Sequence, residues 1–184
     1  SGMAGYTLAK ELRNLDAGAS LMLLTADAGA VYSKPMISNA LKFGKTPESL
    51  LQKSAEQMAM DLNLVVRPFT LVHTIDRAAK SVVVIGPAGG PKGHDVITYT
   101  NLVLAVGAIP RPYQVDGSDG VALPAVNSLA DYGRWRAGLK DGARVLIVGA
   151  GLIGVEFAND LADAGYAVTL VDPASKPLSR LLPD

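Results

Sequence analysis

The sequence predicts an α/β protein assembled from strand–turn–helix–strand units. Three observations carry this. Residues 144–156, Arg-Val-Leu-Ile-Val-Gly-Ala-Gly-Leu-Ile-Gly-Val-Glu, run from an apolar strand through three glycines into a helical pattern. A second apolar run, 167–171, ends at Asp172. The opening residues repeat the order in shortened form: Gly2 and Gly5, a helix with Leu8, Leu12 and Leu15 on one face, then an apolar strand over 20–25 ending near Ala26 and Asp27.

The totals limit the classes of function. The 184 residues carry 17 Lys+Arg and 17 Asp+Glu, a formal net charge of +0, so no basic excess favours nucleic acid or an anionic membrane surface. Hydrophobic residues make up 49%, which suits parallel strands buried on both faces. No uninterrupted apolar stretch reaches the roughly 18 residues of a membrane span, and a cytoplasmic location is expected. The cysteine count is zero, which excludes disulfides, a zinc–thiolate site and a redox dithiol within these residues.

In the first unit Gly2 and Gly5 stand as the second and third glycines of a turn whose first glycine and preceding strand are missing. The chain is therefore expected to be truncated at its N-terminus. Residues 31–38 form an irregular stretch in which Pro35 biases Lys34 towards an extended conformation. Thr46-Pro47-Glu48 opens a helix, with Thr as N-cap, Pro in the first turn and an acid beside it, continuing through Leu50, Leu51, Met58 and Leu62. Short strand patterns at 63–67, 70–75, 81–85 and 96–99 read as a small antiparallel meander, with a Gly/Pro loop over 86–93. Residues 101–106 form a further buried strand, ending at Gly107. A linker rich in Pro, Gly and Asp spans 111–120. Ser128 with Asp131 resembles a capping box at the start of a helix reaching about Leu139.

In the second unit each glycine has a mechanical reason. Gly149 allows the tight turn, Gly151 lets the backbone approach a pyrophosphate, and Gly154 lets the helix pack against the strand. The helix tip then offers unpaired N–H groups and a partial positive charge to phosphate. Asp172 stands where a carboxylate accepts from a ribose 2′-OH. Only residues 173–184 follow, so the C-terminus is also expected to be cut. Neither His73 nor His94 has a partner in sequence, and both read as structural or solvated. Trp135 reads as a packing anchor. No Ser/His/Asp set supports acyl transfer.

Two dinucleotide units flanking a β-meander resemble the FAD-dependent pyridine nucleotide oxidoreductases, and within them the rubredoxin–NAD reductase branch. The likeness rests on residues 2–9, on 32–38, on 149–160, and on 102–110, where Val106 replaces the Thr of the family's second flavin motif. The resemblance implies two Rossmann-like domains, FAD-binding over 1–113 and NAD-binding from 114–184, both incomplete. It places Gly2 and Gly5 at the FAD pyrophosphate and Asp27, or Ala26 one residue earlier, at its ribose. Pro35, Val72, Ala105 and Gly107 become further FAD contacts. Gly149, Gly151, Leu152, Ile153, Gly154 and Asp172 would hold NADH, with NADPH disfavoured by the charge of Asp172.

Lys34 would put its cation near the FAD pyrophosphate or flavin ring, and Glu156, which follows the third glycine, is the glutamate that relatives pair with a lysine. Asn39 stands where those relatives carry that lysine; whether Lys34 replaces it is open. Lys34 and Glu156 are the implied catalytic residues. Disulfide reductases of this superfamily carry a Cys pair near residues 32–38, and NADH oxidases a single Cys. With neither present, electrons would leave the flavin singly for rubredoxin or a similar iron–sulfur carrier, in a setting such as alkane oxidation. Two alternatives stay open: a ferredoxin or nitrite reductase flavin component, and a nucleotide-binding fragment without activity.

Overall fold

The computed structural model describes residues 1–87, 94–110, 115–117 and 123–182. In chain order the elements are α1 (Met3–Leu15), β1 (Met22–Leu24), β2 (Val31–Tyr32), a 3-10 helix (Lys34–Asn39), α2 (Pro47–Leu50), β3 (Leu51–Lys53), α3 (Ala55–Leu62) and β4 (Val65–Arg67). Then follow β5 (Leu71–Asp76), β6 (Ser81–Ile85), β7 (His94–Thr98), α4 (Leu129–Gly138), β8 (Arg144–Val148), α5 (Leu152–Asp163) and β9 (Ala167–Val171). They fall into two compact units, Ser1–Tyr32 with Leu51–Ala108, and Ser33–Leu50 with Ile109–Asp184. The second unit thus includes residues 33–50, which a cut at 113/114 assigns to the first. Residues 88–93 of the Gly/Pro loop over 86–93 and most of the linker, including the 113/114 boundary, lie outside the described residues.

In the first unit β1 runs parallel to β4, Met22 opposite Val65, as a helix crossover requires. Tyr6, buried on α1, donates its hydroxyl to the Gly29 carbonyl at 2.6 Å. Arg13 closes the other end: its guanidinium donates to the carbonyls of Leu62 at 2.9 Å and Asn63 at 2.7 Å, satisfying orphan groups where α3 ends. β5, β6 and β7 form an antiparallel three-stranded sheet in that order. Its central strand turns Val82 and Val84 into the interior, the alternation expected of a sheet with one buried face.

Three sequence expectations differ from this architecture. Residues 65–67 pair in parallel with β1 and stand apart from the antiparallel sheet, because the run is too short for its neighbours to be read from pattern alone. The helix expected from Thr46 to Leu62 is two helices split by β3. Ser54 caps the second helix by accepting from the Gln57 amide at 3.2 Å, while the Gln57 side chain accepts from the Ser54 amide at 2.8 Å. This capping box starts a new helix where the apolar spacing suggested continuity. Residues 101–106 join no ladder among the described residues and their side chains are exposed. An apolar run without periodicity signals a preference for burial; it does not supply the neighbouring strand that burial needs.

The second unit holds β8 and β9 in parallel register, Arg144 opposite Ala167 and Val148 opposite Val171. Ser128 caps α4 by accepting from the Asp131 amide at 3.1 Å. Tyr132 is fully buried and donates to the Lys45 carbonyl at 3.0 Å. Trp135 meets Phe157 of α5 edge to face at 5.9 Å, in keeping with a packing anchor.

The segment 33–50 is bound to this unit by a carboxylate. Asp160, fully buried on α5, accepts from the amides of Leu41 and Lys42, both at 2.9 Å. Lys34, expected to be extended before Pro35, instead begins the 3-10 helix, and Ser33 takes the extended conformation. Replacing Asp160 by Ala leaves two amides without their acceptor. The expected cost is about 2–4 kcal/mol in urea unfolding, with Asp160→Asn, which keeps one acceptor oxygen, losing less.

Candidate functional site

The glycine turn of the second unit has the geometry its sequence implies. Gly149 has φ +107°, a conformation that side chains rarely adopt, and its amide donates to the Val171 carbonyl at 2.8 Å. Gly151 precedes α5 with extended backbone and no side-chain cap. The first intrahelical bond runs from the Val155 amide to the Gly151 carbonyl at 3.0 Å, so the amides of Leu152, Ile153 and Gly154 have no intrahelical acceptor. Leu152 and Ile153 are exposed. A Cβ on Gly154 would lie 1.9 Å from the Gly149 carbonyl oxygen. No side chain caps this helix tip, so its first amides are left as donors of the kind that can accept an anion.

Asp172, one residue past β9, accepts from the Ala150 amide at 2.7 Å and from Ala174 at 2.8 Å. The Ala150 bond first, then the Ala174 bond and the charge of Arg180, hold its carboxyl below the ordinary 3.8 despite slight opposing desolvation. Each oxygen has a further lone pair, so a sugar hydroxyl remains an available donor.

The first unit repeats the device at Gly2. This residue caps α1 with extended backbone and no side-chain cap, and the first intrahelical bond runs from Tyr6 to the Gly2 carbonyl at 3.2 Å. Gly5 differs from Gly154. Its Cβ would meet Leu23 at 3.6 Å and Ala105 at 3.8 Å, ordinary contacts. Asp27 lies beyond β1 and accepts from Ser1 Oγ at 2.6 Å, Thr25 Oγ1 at 2.7 Å and the Gly29 amide at 2.9 Å. Burial pushes its carboxyl up, but these bonds and the terminal ammonium outweigh burial and leave it below 3.8. Val72, half-buried on β5, faces Val84; Ala105 is exposed; Gly107 has φ +68°.

Lys34 and Pro35 are exposed at the start of the 3-10 helix. Glu156 is half-buried on α5 and accepts from Ser38 Oγ at 2.6 Å. Among the described residues its hydrogen-bond partner is this hydroxyl, and Lys34 is in none of the ion pairs. Sequence reasoning did not single out Ser38 or Asp160, since neither type signals a contact across 118 or 119 positions. It also separated His73 and His94, whose rings stand 6.3 Å apart.

The sequence pattern of the pyridine nucleotide-disulphide oxidoreductase family matches residues 1–184. The chain belongs to this family. A family member from Acinetobacter baylyi, named rubredoxin-NAD(+) reductase, is 42% identical over 186 residues, covering 100% of this chain and 46% of that protein. One of the same name from Alcanivorax borkumensis is 40% identical over 184 residues, with 100% and 46% coverage. The chain thus spans about half the length of the curated relatives it matches. A solved ferredoxin reductase for the CYP199A2 system from Rhodopseudomonas palustris superposes with a TM-score of 0.78 and 29% identity, covering 98% of this chain and 43% of that one. These likenesses establish the α/β oxidoreductase fold; among the described residues no helix is long and apolar enough to cross a membrane.

The two third glycines should respond oppositely to a methyl group. Gly154→Ala forces backbone apart and should cost about 2 kcal/mol or more in thermal unfolding, and weaken nucleotide binding measured by calorimetry. Gly5→Ala should be neutral or stabilising by up to about 1 kcal/mol. With pH, the contributions of Asp27 and Asp172 are complete above their ordinary 3.8 and lost as pH falls through their lower folded values. Unfolding midpoints should therefore drop below about pH 4, and less steeply in Asp172→Asn.

Proposed function

We propose that this chain carries the FAD- and NADH-binding parts of a flavoprotein reductase that delivers electrons from NADH to rubredoxin. The observation that carries the reading is a paired one. Each unit has a helix capped by glycine with its first amides free of intrahelical acceptors, and an acid held by local donors just beyond the next parallel strand. The two relatives named rubredoxin-NAD(+) reductase support the choice of acceptor.

In this reading Gly2 and Gly5 border the FAD pyrophosphate and Asp27 its ribose, with Pro35, Val72, Ala105 and Gly107 as further contacts. Gly149, Gly151, Leu152, Ile153 and Gly154 receive the NADH pyrophosphate, and Asp172 its ribose. Lys34 brings a cation to the flavin side and Glu156 a carboxylate to the nicotinamide side. When bound, FAD supplies hydride acceptance from NADH and release of electrons one at a time. With zero cysteines, no thiol of this chain relays them. The setting is the cytoplasm. A second reading, ferredoxin as acceptor, is favoured by the likeness to the Rhodopseudomonas palustris ferredoxin reductase.

Asp172 should set the coenzyme preference. A fixed carboxylate repels a 2′-phosphate, so kcat/KM for NADH should exceed that for NADPH by about tenfold or more, equivalent to about 1.4 kcal/mol. Asp172→Ala should narrow the ratio; faster flavin reduction by NADPH in the unsubstituted protein would refute the assignment. Mixing the reduced protein with rubredoxin or ferredoxin in a stopped-flow instrument decides the acceptor, and quicker reoxidation by ferredoxin would select the second reading.

A further inference from the structure

Two carboxylates stand one helical turn apart on α5, and both receive hydrogen bonds from residues 38–42. Asp160 is fully buried and binds backbone amides, a structural attachment. Glu156 is only half-buried, lies nearer the glycine turn, and takes its bond from a hydroxyl. That hydroxyl belongs to Ser38, which is 4% exposed.

A serine has one proton to donate. Ser38 Oγ has two acceptors within reach, the Pro35 carbonyl at 3.1 Å and Glu156 Oε2 at 2.6 Å. The shorter contact has the length of a hydroxyl donating to a carboxylate, so the proton goes to Glu156. The serine itself is fixed by burial and by the Asp160 attachment three and four residues further on. It therefore holds the glutamate from a rigid base. No lysine is available for this at position 39, which is Asn, and Lys34 is exposed outside the ion pairs of the described residues.

We propose that Ser38 is a positioning residue, whose buried hydroxyl fixes the Glu156 carboxylate on the nicotinamide side of the glycine turn in place of a lysine. This rests on the reading of Glu156 as part of the hydride-transfer site.

The test uses the flavin-loaded protein with Ser38→Ala and Ser38→Thr, reduced by NADH and by 4-deuterated NADH. Ser38→Ala should lower kcat by about fivefold or more, leave KM within about twofold, and enlarge the deuterium isotope effect. Ser38→Thr, which keeps the hydroxyl, should restore all three. A second readout is independent of turnover: the infrared carboxylate band of 13C-labelled Glu156, identified by its absence in Glu156→Gln, should shift in Ser38→Ala and return in Ser38→Thr. Should Ser38→Ala fail to fold, Ser38→Cys takes its place as a weaker donor of similar size. An unchanged isotope effect, or a band that ignores the hydroxyl, overturns the proposal. An unsubstituted protein that binds NADH without hydride transfer overturns the functional reading, and the infrared comparison then still decides whether Ser38 holds the carboxylate.

Discussion

Helix α5 crosses its preceding turn with no space for a side chain at residue 154, where a Cβ would lie 1.9 Å from the Gly149 oxygen. That contact fixes where the helix tip stands relative to β8, and the parallel pairing of β8 with β9 follows from the same crossover. With the helix seated, its first amides are left without intrahelical acceptors, and its flank turns Glu156 and Asp160 towards residues 38–42. One close backbone approach thus determines both the uncapped, amide-bearing end of α5 and the polar side that carries the neighbouring segment.

The two glycine turns reach similar ends with different tolerances. At the first, the third glycine has ordinary clearances; at the second, it has none. The acids converge instead. Asp27 collects two hydroxyls and an amide, Asp172 two amides, and both carboxyls are held ionised below their usual range. A charge presented this way is kept in one orientation at little further entropic cost.

Local signals were the legible ones. The offsets of Gly149, Gly151 and Gly154 and the caps at Thr46 and Ser128 are encoded within a few residues of where they act, and each helix begins where they indicate. Long-range choices were not. Nothing near Ser33 announces that residues 33–50 pack with α5, because the deciding group is a buried Asp on an otherwise ordinary helix. The helix break at β3 was hidden by apolar spacing that suits a helix and a short strand alike. At the candidate site the backbone geometry of Gly149 and Gly154 was legible in their spacing, whereas the partner of Glu156 was not, since a serine among many serines carries no mark of its target.

The excursion over 33–50 leaves the first unit at Tyr32 and re-enters it at Leu51, and these two positions are partners in the β2–β3 ladder. The detour is therefore pinched shut at its base, like a cassette clipped in at both ends by a two-rung zipper. Its closure entropy is small, since the ends are already neighbours. In building chimaeras between members of this family, the natural parcel to exchange along with the second unit is this cassette, cut at the zipper; a single splice in the linker would graft α5 onto a foreign segment and leave Asp160 facing amides it did not evolve to meet.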